Sequence, residues 1–117
     1  MGTSQVKENH CEALELKNAV YQVIRNGVYH ALPEKDWCSR DRPAFKQSGP
    51  NQNYMYYIDI GDGWRGWMIG SRLCQNLGGV AAAGNAMTPD EVPRGGWEEV
   101  FRGDWHYSQD MIAVCKQ

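Results

Sequence analysis

Phenylalanine is scarce in this chain, 2 residues of 117 against 6 tyrosines and 5 tryptophans. The aromatic content therefore sits in rings with a polar handle, which suit places where one end is dry and the other wet. No apolar run approaches the roughly 18 residues of a membrane-spanning helix, and mean hydropathy is −0.62. Neither charge sign dominates: Lys+Arg is 12, Asp+Glu is 14 and the formal net charge is −2. A nucleic-acid binder shows a basic excess or stripe, so neither a nucleic acid nor a membrane is expected as a partner. The G-x-S-x-G and H-E-x-x-H signatures of hydrolases and zinc proteases are missing, and so is any N-x-[ST] sequon.

What remains points to a small β protein. The length suits one domain, and 42% hydrophobic residues supply a core. Gly is abundant, 13 of 117, which with the amphipathic aromatics argues for short strands joined by turns. Cys11, Cys38, Cys74 and Cys115 stand 27, 36 and 41 residues apart. Zinc sites take ligands in close pairs, so no metal and no cofactor is expected; four free cytosolic thiols are the plainer alternative to disulfides. Because Cys11 and Cys115 flank the whole folded stretch and chain termini often lie close together, a Cys11–Cys115 clasp with a Cys38–Cys74 staple is the favoured pairing. Disulfides imply an oxidising compartment. Residues 1–10 lack the apolar region of a signal peptide, so the chain reads as a mature segment of a longer secreted protein. Residues 1–12 are expected to be a flexible leader, its first four a cloning remnant, with a single β domain over 13–117.

Along the chain, 12–17 has the composition of one helical turn. Residues 19–24 and 28–32 read as strands joined by a hairpin turn at Asn26-Gly27, a sequence that tolerates the positive φ of a type I′ turn. Further strands are expected over 44–47, 53–60, 64–69 and 97–101, with a turn into 105–107 and a last strand over 111–114. Pro43 cannot donate to a ladder, which marks an edge or a strand start. In 53–60 the even positions Tyr54, Tyr56, Ile58 and Ile60 are apolar, and a period of two turns them to the core with Trp67 and Ile69. The Gly- and Ala-rich stretch 70–96 reads as one long loop, functional or a surface loop tied down by Cys74, with a helical turn at Thr88-Pro89-Asp90-Glu91. The expected fold is thus all-β: an antiparallel sheet, barrel or sandwich of six to seven short strands, stabilised by disulfides.

The residue types that carry chemistry do not converge. His106 near Asp104 is the one close acid–base pair, and a solvated loop accounts for it. Glu98 and Glu99 are adjacent on a strand and face opposite sides, which does not suit a glycosidase pair. Asp59 and Asp62 beside glycine are too few for calcium, which takes 6 to 8 oxygens, roughly. Five tryptophans exceed what a central core of this size holds. Trp64 and Trp67 have opposite parity, so with Trp67 inward Trp64 is left outward, next to Arg65 and Asp62; Trp37 lies in a charged loop and Trp105 in a tight turn. Trp64, Trp37, Trp105, Arg65 and Asp62 are therefore the candidate contact residues for a glycan or a protein.

Five short segments occur in order between Tyr21 and Trp97: Asn26-Gly27-x-Tyr29, Arg42-Pro43-x-Phe45-Lys46, Tyr54-x-Tyr56-Tyr57, Trp67-Met68-Ile69-Gly70, and Thr88-Pro89 followed by Trp97. In these the chain resembles small Trp/Gly-rich β modules of modular, often secreted proteins of marine invertebrates and protists. The resemblance implies a non-catalytic module with no catalytic residues. The expectation is a secreted binding or adhesion module for glycan or extracellular protein, with a structural spacer module as the alternative and a small enzyme without a known motif a distant third.

Overall fold

The computed structural model describes residues 10–116; the expected leader up to residue 9 lies outside them. The chain is all-β: β1 Ala13–Lys17, β2 Gly27–Ala31, β3 Phe45–Gln47, β4 Tyr54–Asp59, β5 Arg65–Gly70, β6 Val80–Ala83, β7 Glu98–Phe101, β8 Asp104–Tyr107 and β9 Ile112–Cys115. These nine strands form one antiparallel sheet in the order β8-β7-β6-β5-β4-β3-β2-β1-β9, curled into a half-barrel.

The curl follows from connectivity. β8 and β9 are consecutive in sequence yet sit at opposite edges of the sheet. Flat, those edges would lie about 38 Å apart at roughly 4.8 Å per strand. The link 108–111 reaches only about 18 Å when fully extended, so the sheet must bend until its edges approach.

Strand number exceeds the expected six to seven because β1, β6 and β8 are gained while the strand expected over 19–24 is lost. Residues 13–17 form a strand and not a helical turn. Leu14 and Leu16 are both buried; two residues apart they share a face of a strand, whereas in a helix they would lie about 200° apart around the axis. Within the stretch 70–96, Val80–Ala83 pairs with β5 as Gly66↔Ala83, Trp67↔Ala82, Met68↔Ala81 and Ile69↔Val80. Gly66 permits this approach, since a Cβ there would meet the Ala82 carbonyl oxygen at 2.3 Å. Pro89–Glu91 forms a 3-10 turn with Pro at its start, as its sequence predicted.

The expected 19–24 strand and its Asn26-Gly27 hairpin turn are not formed. Residues 18–26 make a loop between β1 and β2 that carries a 3-10 turn at Val23–Arg25. Asn26 has φ −65, outside the left-handed region that a type I′ turn demands. The chain reverses instead through Asn18 at φ 72. Pro43 does precede a strand, but β3 lies between β2 and β4 and is no edge.

Both faces of the sheet are covered, which alters the expected core. The concave face holds the main cluster, including Leu14, Leu16, Tyr29, Phe45, Met55, Tyr57, Trp67, Ile69, Val80 and Trp97. Register sets Tyr57 against Trp67 and Met55 against Ile69. Tyr54, Tyr56 and Ile58 therefore do not share the Trp67 face. They belong with Met68, Ala44 and Ala81 in a second, outer cluster, against which Leu32, Trp37, Trp64 and Leu73 pack. Cys38–Cys74 joins the two loops that supply Leu32, Trp37 and Leu73 to this outer cluster. Cys11–Cys115, Cα atoms 5.6 Å apart, joins the residues just before β1 to the end of β9. Both disulfides are those favoured from the sequence. At the far end, Arg42 stacks over the Tyr57 ring at 4.0 Å and donates to the Asn85 and Ala86 carbonyls. The Trp67 indole N–H also donates to Ala86. These bonds tie loop 84–97 across the concave face.

Trp67→Ala should destabilise the protein by about 3–5 kcal/mol, as for large aromatic truncations in a packed core. Ile58→Ala, on the half-buried outer face, should cost less than half of that. Urea unfolding of the two variants checks the assignment; the reverse ranking would place the main core on the outer face.

Candidate functional site

The local structure is organised by one buried carboxylate. Glu99 lies on the concave side of β7, opposite Val80 and His106, and is 0% exposed. Its oxygens accept the backbone N–H groups of Val20 at 3.0 Å, Tyr21 at 2.8 Å and Gln22 at 2.7 Å, and the Ser108 hydroxyl. Burial alone would push this carboxyl up. The Ser108 hydroxyl and the Val20, Gln22 and Tyr21 amides outweigh it and hold the pKa below the ordinary carboxylate value, because each donates to the charged form.

The rest of loop 18–26 is anchored with equal care. Gln22 Nε2 donates to the Val100 carbonyl at 2.7 Å. Arg25 bonds Asn53, and Asn53 in turn donates to Ile24 and to Gln47. Gln47 donates to the carbonyls of Ile24 and Asn26, and the Tyr29 hydroxyl to that of Arg25. The loop is thus a cap whose backbone faces the barrel's polar groups and whose apolar side chains Val20, Tyr21, Val23 and Ile24 face outward.

Aromatic side chains gather where this cap meets the β7–β8 hairpin. Tyr21 stacks on Phe101 with centroids 4.3 Å apart and planes 17° apart, and His106 lies 5.3 Å from Tyr21. Arg102 lies over the Phe101 ring, 5.1 Å from its centroid. On the other face of β8, Trp105 is 46% exposed and Tyr107 67%. Between the cap and the segment after β8 runs a groove of about 580 Å³, bordered by Asn18–Tyr21, Arg94 and Tyr107–Asp110.

The sequence-predicted contact residues are distributed over the sheet and not gathered at one point. Trp105 is on the edge strand β8. Arg65 and Asp62 are exposed at the β4–β5 turn. Trp64 has the parity expected of it, opposite to Trp67, but it is half-buried against the outer cluster. Trp37 is half-buried there too, its indole N–H bonded to the Leu32 carbonyl at 3.0 Å. Tyr21, Phe101 and Tyr107 were missed, because their exposure depends on where loop 18–26 docks.

The His106 ring is bonded to the Phe101 carbonyl at 3.3 Å. Glu98 and Glu99 do face opposite sides, and Glu99 is consumed by the cap. The Asp59 carboxylate accepts the Gly61 N–H at 3.0 Å, a plain turn with Gly61 and Gly63 at φ 84 and 81. Among the described residues, one group of three potential metal ligands comes together, Cys11, Asp90 and Cys115, and its two sulfurs are already bonded to each other. No helix of the described residues is long and apolar enough to cross a membrane. No protein family, curated protein or solved structure matches this chain.

Glu99 sets a pH dependence. Its folded pKa is depressed, so its contribution is complete above the unfolded value of about 4.3 and is lost as pH falls through the folded value. Glu99→Gln should cost on the order of 2–3 kcal/mol at pH 7, the scale of hydrogen bonds to a charged group. The gap between wild type and variant should narrow in urea titrations near pH 3. A gap that stays constant with pH would show that ionisation of Glu99 does not hold the cap.

Proposed function

We propose that this chain is a non-catalytic, secreted binding or adhesion module that recognises a glycan or an extracellular protein through exposed aromatics. The observation that carries this reading is the concentration of Tyr21, Phe101, Trp105 and Tyr107 at the cap and the β7–β8 hairpin, all exposed and all mounted on hydrogen-bonded backbone. Large rings kept in water by a rigid frame gain most when a partner covers them. Two disulfides suit an oxidising, extracellular-like environment. Trp105 is the leading contact. Trp64 with Arg65 and Asp62, and Trp37 on the outer cluster, form the second candidate patch. The structural-spacer alternative draws on the half-burial of Trp37 and Trp64, whose rings serve the outer cluster.

Trp105→Ala and Trp64→Ala, compared with wild type at matched folded concentration on glycan and extracellular-protein arrays, test the reading. Trp105→Ala should fold normally and weaken binding by on the order of 2 kcal/mol, a hot-spot loss. Arrays that bind neither wild type nor variants would favour the spacer.

A further inference from the structure

We propose that the groove between the cap and the segment after β8 is a saccharide site, and that its ligand is uncharged. The inference rests on the binding-module reading and names the ligand class and place.

A sugar ring presents two kinds of surface. Its C–H faces are apolar and lie flat on aromatic rings. Its hydroxyls both donate and accept, and are matched by amides and carboxylates with fixed planar geometry. The groove offers both. Tyr21 and Tyr107 line it, as do Asn18, Gln109 and Asp110. Its volume of about 580 Å³ falls within the roughly 300–1,000 Å³ of small-ligand sites. Among the described residues, no hydrogen bond occupies the Tyr107 hydroxyl, the Gln109 amide or the Asp110 carboxylate, so these groups are available to a ligand.

Two walls are rigid before any ligand arrives. Asn18 Nδ2 donates to the Asp110 carbonyl at 3.0 Å, bracing 18–21 against 107–110, and Arg94 Nη1 ties loop 84–97 to the same carbonyl at 3.3 Å. The backbones of Val20 and Tyr21 are held by Glu99, and the Tyr21 ring is backed by Phe101. Pre-organisation of this kind lowers the entropy cost of binding. The lining carries one cation, Arg94, and one anion, Asp110, and so no net charge, which argues against an ionic ligand. A protein hot spot would need a deeper apolar pocket than this mixed lining supplies.

The test is an NMR titration of the disulfide-intact chain with neutral oligosaccharides of glucose, galactose, mannose and N-acetylglucosamine. The expected result is binding to at least one series, with shifts concentrated in 18–21 and 107–110 and reaching Trp105, which shares the face of β8 with Tyr107. Affinity should be equal at low and high salt, and weakened about tenfold or more by Tyr107→Ala and by Gln109→Ala, as when an anchoring contact is removed. Two exposed substitution sites guard against one variant failing to fold. Saccharide shifts centred on Trp64, Arg65 and Asp62 would overturn the groove assignment and leave the binding module standing. So would wild-type affinity in both variants. Binding of sulfated or carboxylated sugars alone, lost in high salt, would overturn the uncharged class. Capture of a defined extracellular protein with no saccharide binding would overturn the saccharide and keep the module; silence toward both would remove the two together.

Discussion

The fold depends on what a buried carboxylate does at the open side of a curled sheet. Nine strands in a meander-like order leave β8 and β9 as edges, and a half-barrel exposes its concave core along that opening. Glu99 answers this by drawing loop 18–26 over one end of the opening through three backbone amides and the Ser108 hydroxyl. Removing a carboxylate from water is costly, and only a full set of donors offsets it. The same donors would be orphaned without it, so neither partner is stable alone. The aromatic cluster and the groove beside it inherit their rigidity from this contact.

The remaining closure is made by covalent and aromatic means. Loop 84–97 is tied over the other end by Arg42, Trp67 and the Tyr57 hydroxyl, which donates to Gly84 at 2.7 Å. Cys11–Cys115 links the first strand's approach to the last strand, a separation of 104 residues. Long closures of this kind restrict the unfolded chain most, by about 4–5 kcal/mol on chain-entropy grounds. Cys38–Cys74 does the same for the loops of the outer face. A chain of this size with core on both faces of one sheet has little depth on either: Trp67 and Trp97 lie fully inside the concave cluster, while Trp37 and Trp64 cover the outer one with their edges wet.

How much of this could be read from residues alone varied with how local the cause was. β4, β5 and β7 were legible because their patterns and bounding turns lie within a few positions. Both disulfides were legible because Cys11 and Cys115 flank the expected domain, which leaves Cys38 and Cys74 for each other. The face assignment in β4 failed because Tyr54, Tyr56 and Ile58 alternate with Met55 and Tyr57, and with both faces covered no polar face fixes the parity. β6 was hidden by Ala81-Ala82-Ala83, residues of low strand propensity that suit a position pressed against Trp67 and Met68. The 19–24 segment has strong strand composition, yet its amides are claimed by Glu99, 77 to 79 positions away. No window of neighbouring residues contains that information. Of the candidate site, Trp105 was picked out by its expected place in a tight turn, but it lies within the edge strand β8; Tyr21, Phe101 and Tyr107 required the docked cap.

The central claim is that loop 18–26 is a structural cap held by Glu99 and not a surface excursion. Native-state hydrogen exchange of the Val20, Tyr21 and Gln22 amides tests it most directly. These amides should exchange near the slowest rate in the molecule, together with those of β4 and β5, because freeing them requires opening the barrel. Exchange at the rate of an exposed loop at neutral pH, with β4 and β5 still protected, would contradict the account.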